Sequence, residues 1–248
     1  MICLPTCRGK RSKARSRKDL VSLKRHIPEY ATVIAVALVS LGLFAFIRLA
    51  DEVADKDTRG FDERILLMFR NHSDAADPIG PAWVEVVVRD VSALGGLVAL
   101  GLLTMAACGY LWLKHKHKLA LFVAISVGGG SLANTLLKEF IGRPRPDIVP
   151  HGTSAALSSF PSGHAMMSAV VFLTLGALLA HSADETRIKI YILSWSVLLT
   201  VMVGISRIYL GVHWPTDVVA GWIAGATWAT LCLLVSRRIV FANRFLDK

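Results

Sequence analysis

Six apolar stretches of lipid-crossing length constrain this chain more than any other feature. They fall at about 30–50, 91–113, 119–137, 163–181, 189–206 and 217–236, and roughly 20 helical residues cross a hydrocarbon layer about 30 Å thick. A segment surrounded by lipid must satisfy its own backbone hydrogen bonds, so each stretch is expected to be helical. The expected fold is all-α, a six-transmembrane helical bundle. The most polar stretches are 119–137, with Ser126, Ser131 and Asn134, and 217–236, which starts at Asp217. In a bundle such groups face protein instead of lipid.

Charge then sets a direction. Residues 1–28 hold nine Lys/Arg against one acid, Asp19. Lys114, Lys116 and Lys118 follow the second stretch, Arg187 and Lys189 precede the fifth, and Arg237, Arg238, Arg244 and Lys248 lie at the end. With six spans all four patches fall on one side, which the positive-inside rule makes cytoplasmic. The opposite side receives 138–162, 207–216 and the 51–90 connection, which has ten acids and five bases. Topology and anionic lipid account for the basic leader, so no nucleic-acid partner is expected. The first stretch is longer than a signal-peptide core and lacks a small-residue cleavage site, so it is expected to be a retained span. Four cysteines, Cys3, Cys7, Cys108 and Cys232, support neither a disulfide framework nor a soft-metal site.

The expected organisation is a disordered basic cytoplasmic leader (1–28), one membrane domain (29–238, with its chemical motifs within 119–236) and a cytoplasmic tail (239–248). Within 51–90, Phe61, Ile65, Leu66, Met68 and Phe69 alternate with Asp62, Glu63, Arg64 and Arg70. This pattern fits a short amphipathic helix in the interface, either a guide for lipid or an inert cover. Gly128-Gly129-Gly130 lacks the Lys and Ser/Thr of a nucleotide loop and reads as close helix packing, as do Gly221 and Gly225.

Three polar clusters interrupt this apolar chain: Lys138 to Arg145, Ser162-Gly163-His164, and Arg207 with His213 and Asp217. In a six-span topology they meet at one membrane face, the outer one. Cations in an apolar bundle need compensation, and a phosphate ester or diphosphate supplies it. Arg145 and Arg207 offer bidentate contacts, and Lys138 a point charge. A helix starting near Ser162 presents unused backbone N–H groups, and Gly163 allows phosphate oxygens to approach. The i,i+4 spacing of His213 and Asp217 places both on one helical face. Pro215 suits the first turn of that helix, and Arg143 is an auxiliary candidate.

Lys138 followed by Arg145-Pro146, then Pro161-Ser162-Gly163-His164, then Arg207 with His213 and Asp217, resembles the three-part signature of the phosphatidic acid phosphatase type 2 and vanadium haloperoxidase superfamily. The likeness covers roughly 119–236. It implies a membrane lipid phosphatase in which His213 is the nucleophile and forms a phosphohistidine. Asp217 would orient His213, His164 would protonate the leaving oxygen and then activate water, and Ser162 would donate to the transferring phosphoryl group. No metal and no cofactor are expected: Asp217 is the one clearly site-linked acid, and a two-metal site needs several carboxylates.

A membrane site implies a phosphorylated membrane lipid as partner, with its tail left in the bilayer. From the roles known in the resembled family, undecaprenyl diphosphate ranks first, then phosphatidylglycerol phosphate and phosphatidic acid. The compact form points to a bacterial inner or cytoplasmic membrane, with the termini cytoplasmic and the active site periplasmic or extracellular. Phosphotransfer between lipids is a second enzymatic reading, and lipid binding or transport without catalysis is a third. The His164, His213 and Asp217 set argues against the last, because binding alone needs no nucleophile.

Overall fold

The computed structural model describes residues 9–147 and 158–236, with side chains from Tyr30 onward. The element order is α1 (Gly9–Ala54), α2 (Arg59–Leu67), α3 (Ala82–Ala93), α4 (Leu97–Leu113), α5 (His117–Ile141), α6 (Gly163–Ser182), α7 (Thr186–Tyr209) and α8 (Pro215–Ser236). Five helices are long and apolar enough to cross a membrane: α1 from Tyr30, α5, α6, α7 and α8. Taken as one span bent by 44°, α3 and α4 make a sixth.

Two boundaries depart from the sequence reading. Residues 9–28 continue α1 instead of forming a disordered leader; Lys, Arg, Leu and Ala are all competent helix formers. The second span starts at Ala82, not residue 91. Glu85, Arg89 and Asp90 lower the hydropathy of its first turns, yet Arg89 Nε bonds Glu85 Oε1 at 3.0 Å across one helical turn. The bend falls at Gly95-Gly96, where paired glycines interrupt a helix readily. Cys3, Cys7 and the basic tail from Arg237 lie outside the described residues.

The bundle is organised around α6, which packs on α4, α5, α7 and α8. Its closest partner is α8, and glycine sets that approach. A Cβ at Gly221 would stand 2.7 Å from the Ser162 carbonyl oxygen, and one at Gly225 would stand 2.4 Å from that of Met166. Residues four apart on α8 therefore let two backbones touch, the small-residue packing that membrane helices use in place of a hydrophobic drive. Gly129 likewise receives Trp228 and Gly130 receives Val170, whereas Gly128 faces open space.

The predicted short helix exists as α2, and its inner face docks on the bundle. Leu66 is fully buried in a cluster with Ala165, Ile208, Trp214 and Val218. Asp62, one turn earlier on the same face, is also fully buried. Phe61 and Met68 point outward. Arg70 then donates to the carbonyl of Tyr209, whose hydroxyl in turn donates to the Ile79 carbonyl at 2.6 Å. The 51–90 connection is thus stitched to the end of α7.

Gly225→Ala should lower stability by about 1–3 kcal/mol, because the added methyl overlaps backbone that cannot rotate away. Gly128→Ala, where nothing lies within 4 Å, should be neutral or slightly stabilising. Melting temperatures of the two detergent-solubilised variants check the contrast.

Candidate active site

Each cluster owes its position to the way a helix begins or ends. Gly142 closes α5 in the left-handed conformation (φ 62°), its N–H bonding the Lys138 carbonyl at 3.2 Å. This stop leaves Lys138 in the last turn, with Arg143 and Arg145 on the turn that follows. Lys138 Nζ donates to the Ser158 carbonyl at 3.2 Å. Ser162 precedes α6 in an extended conformation, and its hydroxyl makes no capping bond. Its N–H instead donates to the Asp217 carbonyl at 2.9 Å, tying the start of α6 to the start of α8.

The first turn of α8 fixes the histidine–carboxylate pair. Pro215 occupies the first helical position, where its missing N–H costs nothing. Asp217 Oδ2 accepts from the Trp214 N–H at 3.0 Å, satisfying a donor that the helix leaves orphaned. The same oxygen stands 3.5 Å from His213 Nδ1. That distance is long for a hydrogen bond, and such contacts commonly tighten when substrate is bound. His213 is 2% exposed and Asp217 fully buried. The geometry of Asp217 allows both capping of α8 and orientation of His213.

Arg207, in the last turn of α7, donates through Nη1 to Ser92 Oγ at 2.7 Å. The bend beyond Ser92 brings Gly96 beside the His164 ring, with Nε2 3.9 Å from where a Cβ would stand. A Cβ at Gly163 would lie 3.2 Å from Asn134 Nδ2 and 3.7 Å from Lys138 Cε. His164 lies within the electrostatic reach of Arg207, His213, Lys138 and Arg145. All eight residues singled out in sequence, namely Lys138, Arg145, Ser162, Gly163, His164, Arg207, His213 and Asp217, therefore share one locus. At that locus Ser162 Oγ and Arg207 Nε are buried with no hydrogen-bond partner among the described residues. Buried polar atoms rarely stay unpaired, and both are donors suited to an oxyanion.

Sequence reasoning missed part of the site. Arg143, an auxiliary candidate there, bridges two carboxylates: Nη1 meets Asp217 Oδ1 at 2.6 Å and Nη2 meets Asp62 Oδ2 at 2.6 Å. Asp217 is therefore not the sole acid linked to the site. The available signal was an acid on the apolar face of a helix, since Asp62 shares its side of α2 with Leu66. Ser92 and Asn134 carried no comparable signal. Next to the locus, a crevice of about 410 Å³ is lined by Val53, Lys56, Arg59, Arg143, Arg145 and Trp214, among others. Among the described residues no group of three or more His, Cys, Asp or Glu is placed to hold a metal ion.

Burial is the main influence on His213, pushing it down to about 4, against the pull of Asp217 and with Arg207 and Arg145 adding to the depression. Burial also lowers Arg145, opposed by the attraction of Asp217. The imidazole of His213 is thus neutral near pH 7 and keeps a lone pair.

Residues 118–241 match the PAP2 superfamily. A phosphatidylglycerophosphatase B of Bacillus subtilis is 34% identical over 188 residues, covering 75% of this chain and 88% of that protein. An undecaprenyl-diphosphatase of Sulfolobus acidocaldarius is 41% identical over 68 residues, 27% of this chain and 29% of its own. The crystal structure of a transmembrane PAP2 type phosphatidylglycerolphosphate phosphatase from Bacillus subtilis superimposes with a TM-score of 0.70 at 28% identity, covering 83% of this chain and 96% of that one. The chain belongs to the PAP2 superfamily. It is an integral membrane protein and a lipid phosphatase of that family.

A histidine held below its ordinary value of about 6.5 leaves the unfolded chain with more bound protons between pH 6.5 and about 4. Stability should therefore fall as pH drops through that window. The groups facing His213 are Asp217 from α8, Arg207 from α7, His164 from α6 and Arg145 from the turn after α5. Melting temperatures of wild type and His213→Gln between pH 7 and pH 5 check this: the variant should lose less. Equal losses would count against it.

Proposed function

We propose that this protein hydrolyses the phosphomonoester or diphosphate of a membrane lipid through a phosphohistidine on His213. The observation that carries the reading is the convergence of the buried His213–Asp217 pair with His164, three cations, and the unpaired Ser162 hydroxyl and Arg207 Nε. Because Asp217 faces Nδ1, the proton belongs on Nδ1 and the lone pair on Nε2. Nε2 attacks phosphorus, a P–N bond forms, and the P–O bond to the lipid breaks with its electron pair leaving on oxygen. His164 gives that oxygen a proton. Asp217 stabilises the cationic phosphohistidine, as carboxylates do beside other catalytic histidines. His164 then takes a proton from water, the water oxygen attacks phosphorus, and the P–N bond breaks to release phosphate and neutral His213.

Lys138, Arg145 and Arg207 neutralise the phosphoryl oxygens, with bidentate contacts from the guanidinium groups. Ser162 Oγ and the first-turn N–H groups of α6 complete the cradle. The neighbouring crevice, whose lining includes Lys56, Arg59 and Arg145 as well as Val53, Ile141 and Trp214, suits a headgroup whose tail stays in lipid. The Lys/Arg distribution supports an outward-facing site with cytoplasmic termini in a bacterial membrane.

Two substrates compete. Undecaprenyl diphosphate ranks first in the sequence reading, and a fragmentary likeness to an undecaprenyl-diphosphatase supports it. Similarity over most of a phosphatidylglycerophosphatase B favours phosphatidylglycerol phosphate. Phosphate release by purified protein in mixed micelles, with phosphatidic acid as third substrate, separates them by kcat/KM. A labelled acceptor lipid without free phosphate would replace hydrolysis by transfer.

His213→Ala should lower kcat by at least about a thousandfold while the protein still inserts into membranes. Turnover close to wild type would reject the nucleophile assignment. Activity should also persist in a chelator, and complete loss reversed by added metal would overturn metal independence.

A further inference from the structure

Asp62 lies on α2, far in sequence from every motif, yet its carboxylate is fully buried and accepts three hydrogen bonds. Arg143 Nη2 approaches Oδ2 at 2.6 Å, the Thr216 hydroxyl reaches Oδ2 at 2.6 Å, and the Thr216 N–H reaches Oδ1 at 2.9 Å. Thr216 belongs to the first turn of α8, next to Asp217. Arg143 is shared between Asp62 and Asp217, and its Nη1 also contacts the Thr216 hydroxyl at 2.8 Å. Trp214 completes the frame, its indole N–H on the Pro144 carbonyl at 3.1 Å and its ring 5.6 Å from the Arg143 guanidinium carbon.

Burying a carboxylate is unfavourable unless it is paired and fully hydrogen-bonded. An apolar residue would serve α2 docking equally well, as Leu66 does one turn later. The charge of Asp62 therefore has a purpose beyond packing. Arg143 carries one positive charge and touches two carboxylates. With Asp62 present, Asp217 keeps anionic character for His213. Without it, Arg143 would pair with Asp217 alone and draw it away from the imidazole, most harmfully when that ring becomes cationic.

We infer that Asp62 is a positioning residue for the phosphatase reaction: through Arg143 and Thr216 it holds the Asp217 carboxylate available to His213. This rests on the functional reading above. Asp62 touches no reacting atom. Its effect belongs to the chemical step, because its hydrogen bonds run through Arg143 and Thr216 to the first turn of α8 and Asp217.

The test uses full-length protein in mixed micelles with phosphatidylglycerol phosphate and undecaprenyl diphosphate. Asp62→Asn keeps the shape of the side chain and removes its charge. On whichever lipid the wild type hydrolyses, kcat should fall roughly tenfold or more, the scale of one coupling lost from a hydrogen-bonded network, while KM stays within about twofold. A double-mutant cycle guards against a folding artefact. Because Asp62 acts through Arg143 as well as Thr216, Asp62→Asn combined with Arg143→Gln should lose less than the product of the two single losses. An unchanged kcat in Asp62→Asn, a loss confined to KM, or multiplicative losses in the double variant would each overturn the inference. Failure of the wild type to release phosphate from either lipid would overturn the functional reading, and the inference with it.

Discussion

The contact of α6 with α8 is the constraint on which the site depends. Two helices pack backbone to backbone because Gly221 and Gly225 present no side chain, and the Ser162 N–H then bonds the Asp217 carbonyl across the seam. One helix start carries Ser162, Gly163 and His164, and the other carries Asp217 with His213 just before it. Registering the two starts to within a hydrogen bond sets His164 near the His213–Asp217 pair. The cationic residues arrive from α5, the turn beyond it, and α7, each placed by a helix terminus. Helix termini are also where unpaired backbone dipoles accumulate, so apolar spans contribute polarity at their ends.

Charge balance at this locus is arranged in layers. Lys138, Arg145 and Arg207 face the region where phosphate charge would reside. Arg143, a fourth cation close by in sequence, is turned away from that task by Asp62 and Asp217. The two carboxylates therefore balance Arg143, and in the proposed reaction Asp217 also orients His213. Such pairing is worth more at a partly dry boundary than in open water, because the effective dielectric is lower. In the proposed reaction this would separate affinity from reactivity: one group of charges would meet the phosphate, and another would act on the residue that attacks it.

Much of this was legible in the sequence because membrane folding leaves few choices. Apolar runs of adequate length marked five spans closely, and the sixth was blurred only where Glu85, Arg89 and Asp90 mask the start of α3. The eight site residues were readable because polar groups stand out in an apolar chain and their spacings matched helix ends. Asp62 was hidden for the opposite reason: it lies in a segment crowded with acids, where one more carboxylate carries little information. Ser92 escaped notice because a serine in an apolar helix usually bonds its own backbone. Its contact with Arg207 comes from the packing of α3 on α7, which sequence periodicity does not reveal. Burial patterns fix which elements form; long-range pairings such as Asp62 with Thr216, across 154 positions, arise only after packing.

The double use of Asp217 has a kinetic consequence. One carboxylate oxygen both holds the Trp214 N–H that starts α8 and faces His213. Fraying of that single helical turn would release the cap and misplace the carboxylate in the same event. In the proposed reaction such a local opening, far smaller than global unfolding, would stop turnover as a clutch disengages while the engine stays intact. Hydrogen exchange at the Trp214 amide, whose N–H is held by Asp217 Oδ2, would report that opening through a single backbone proton.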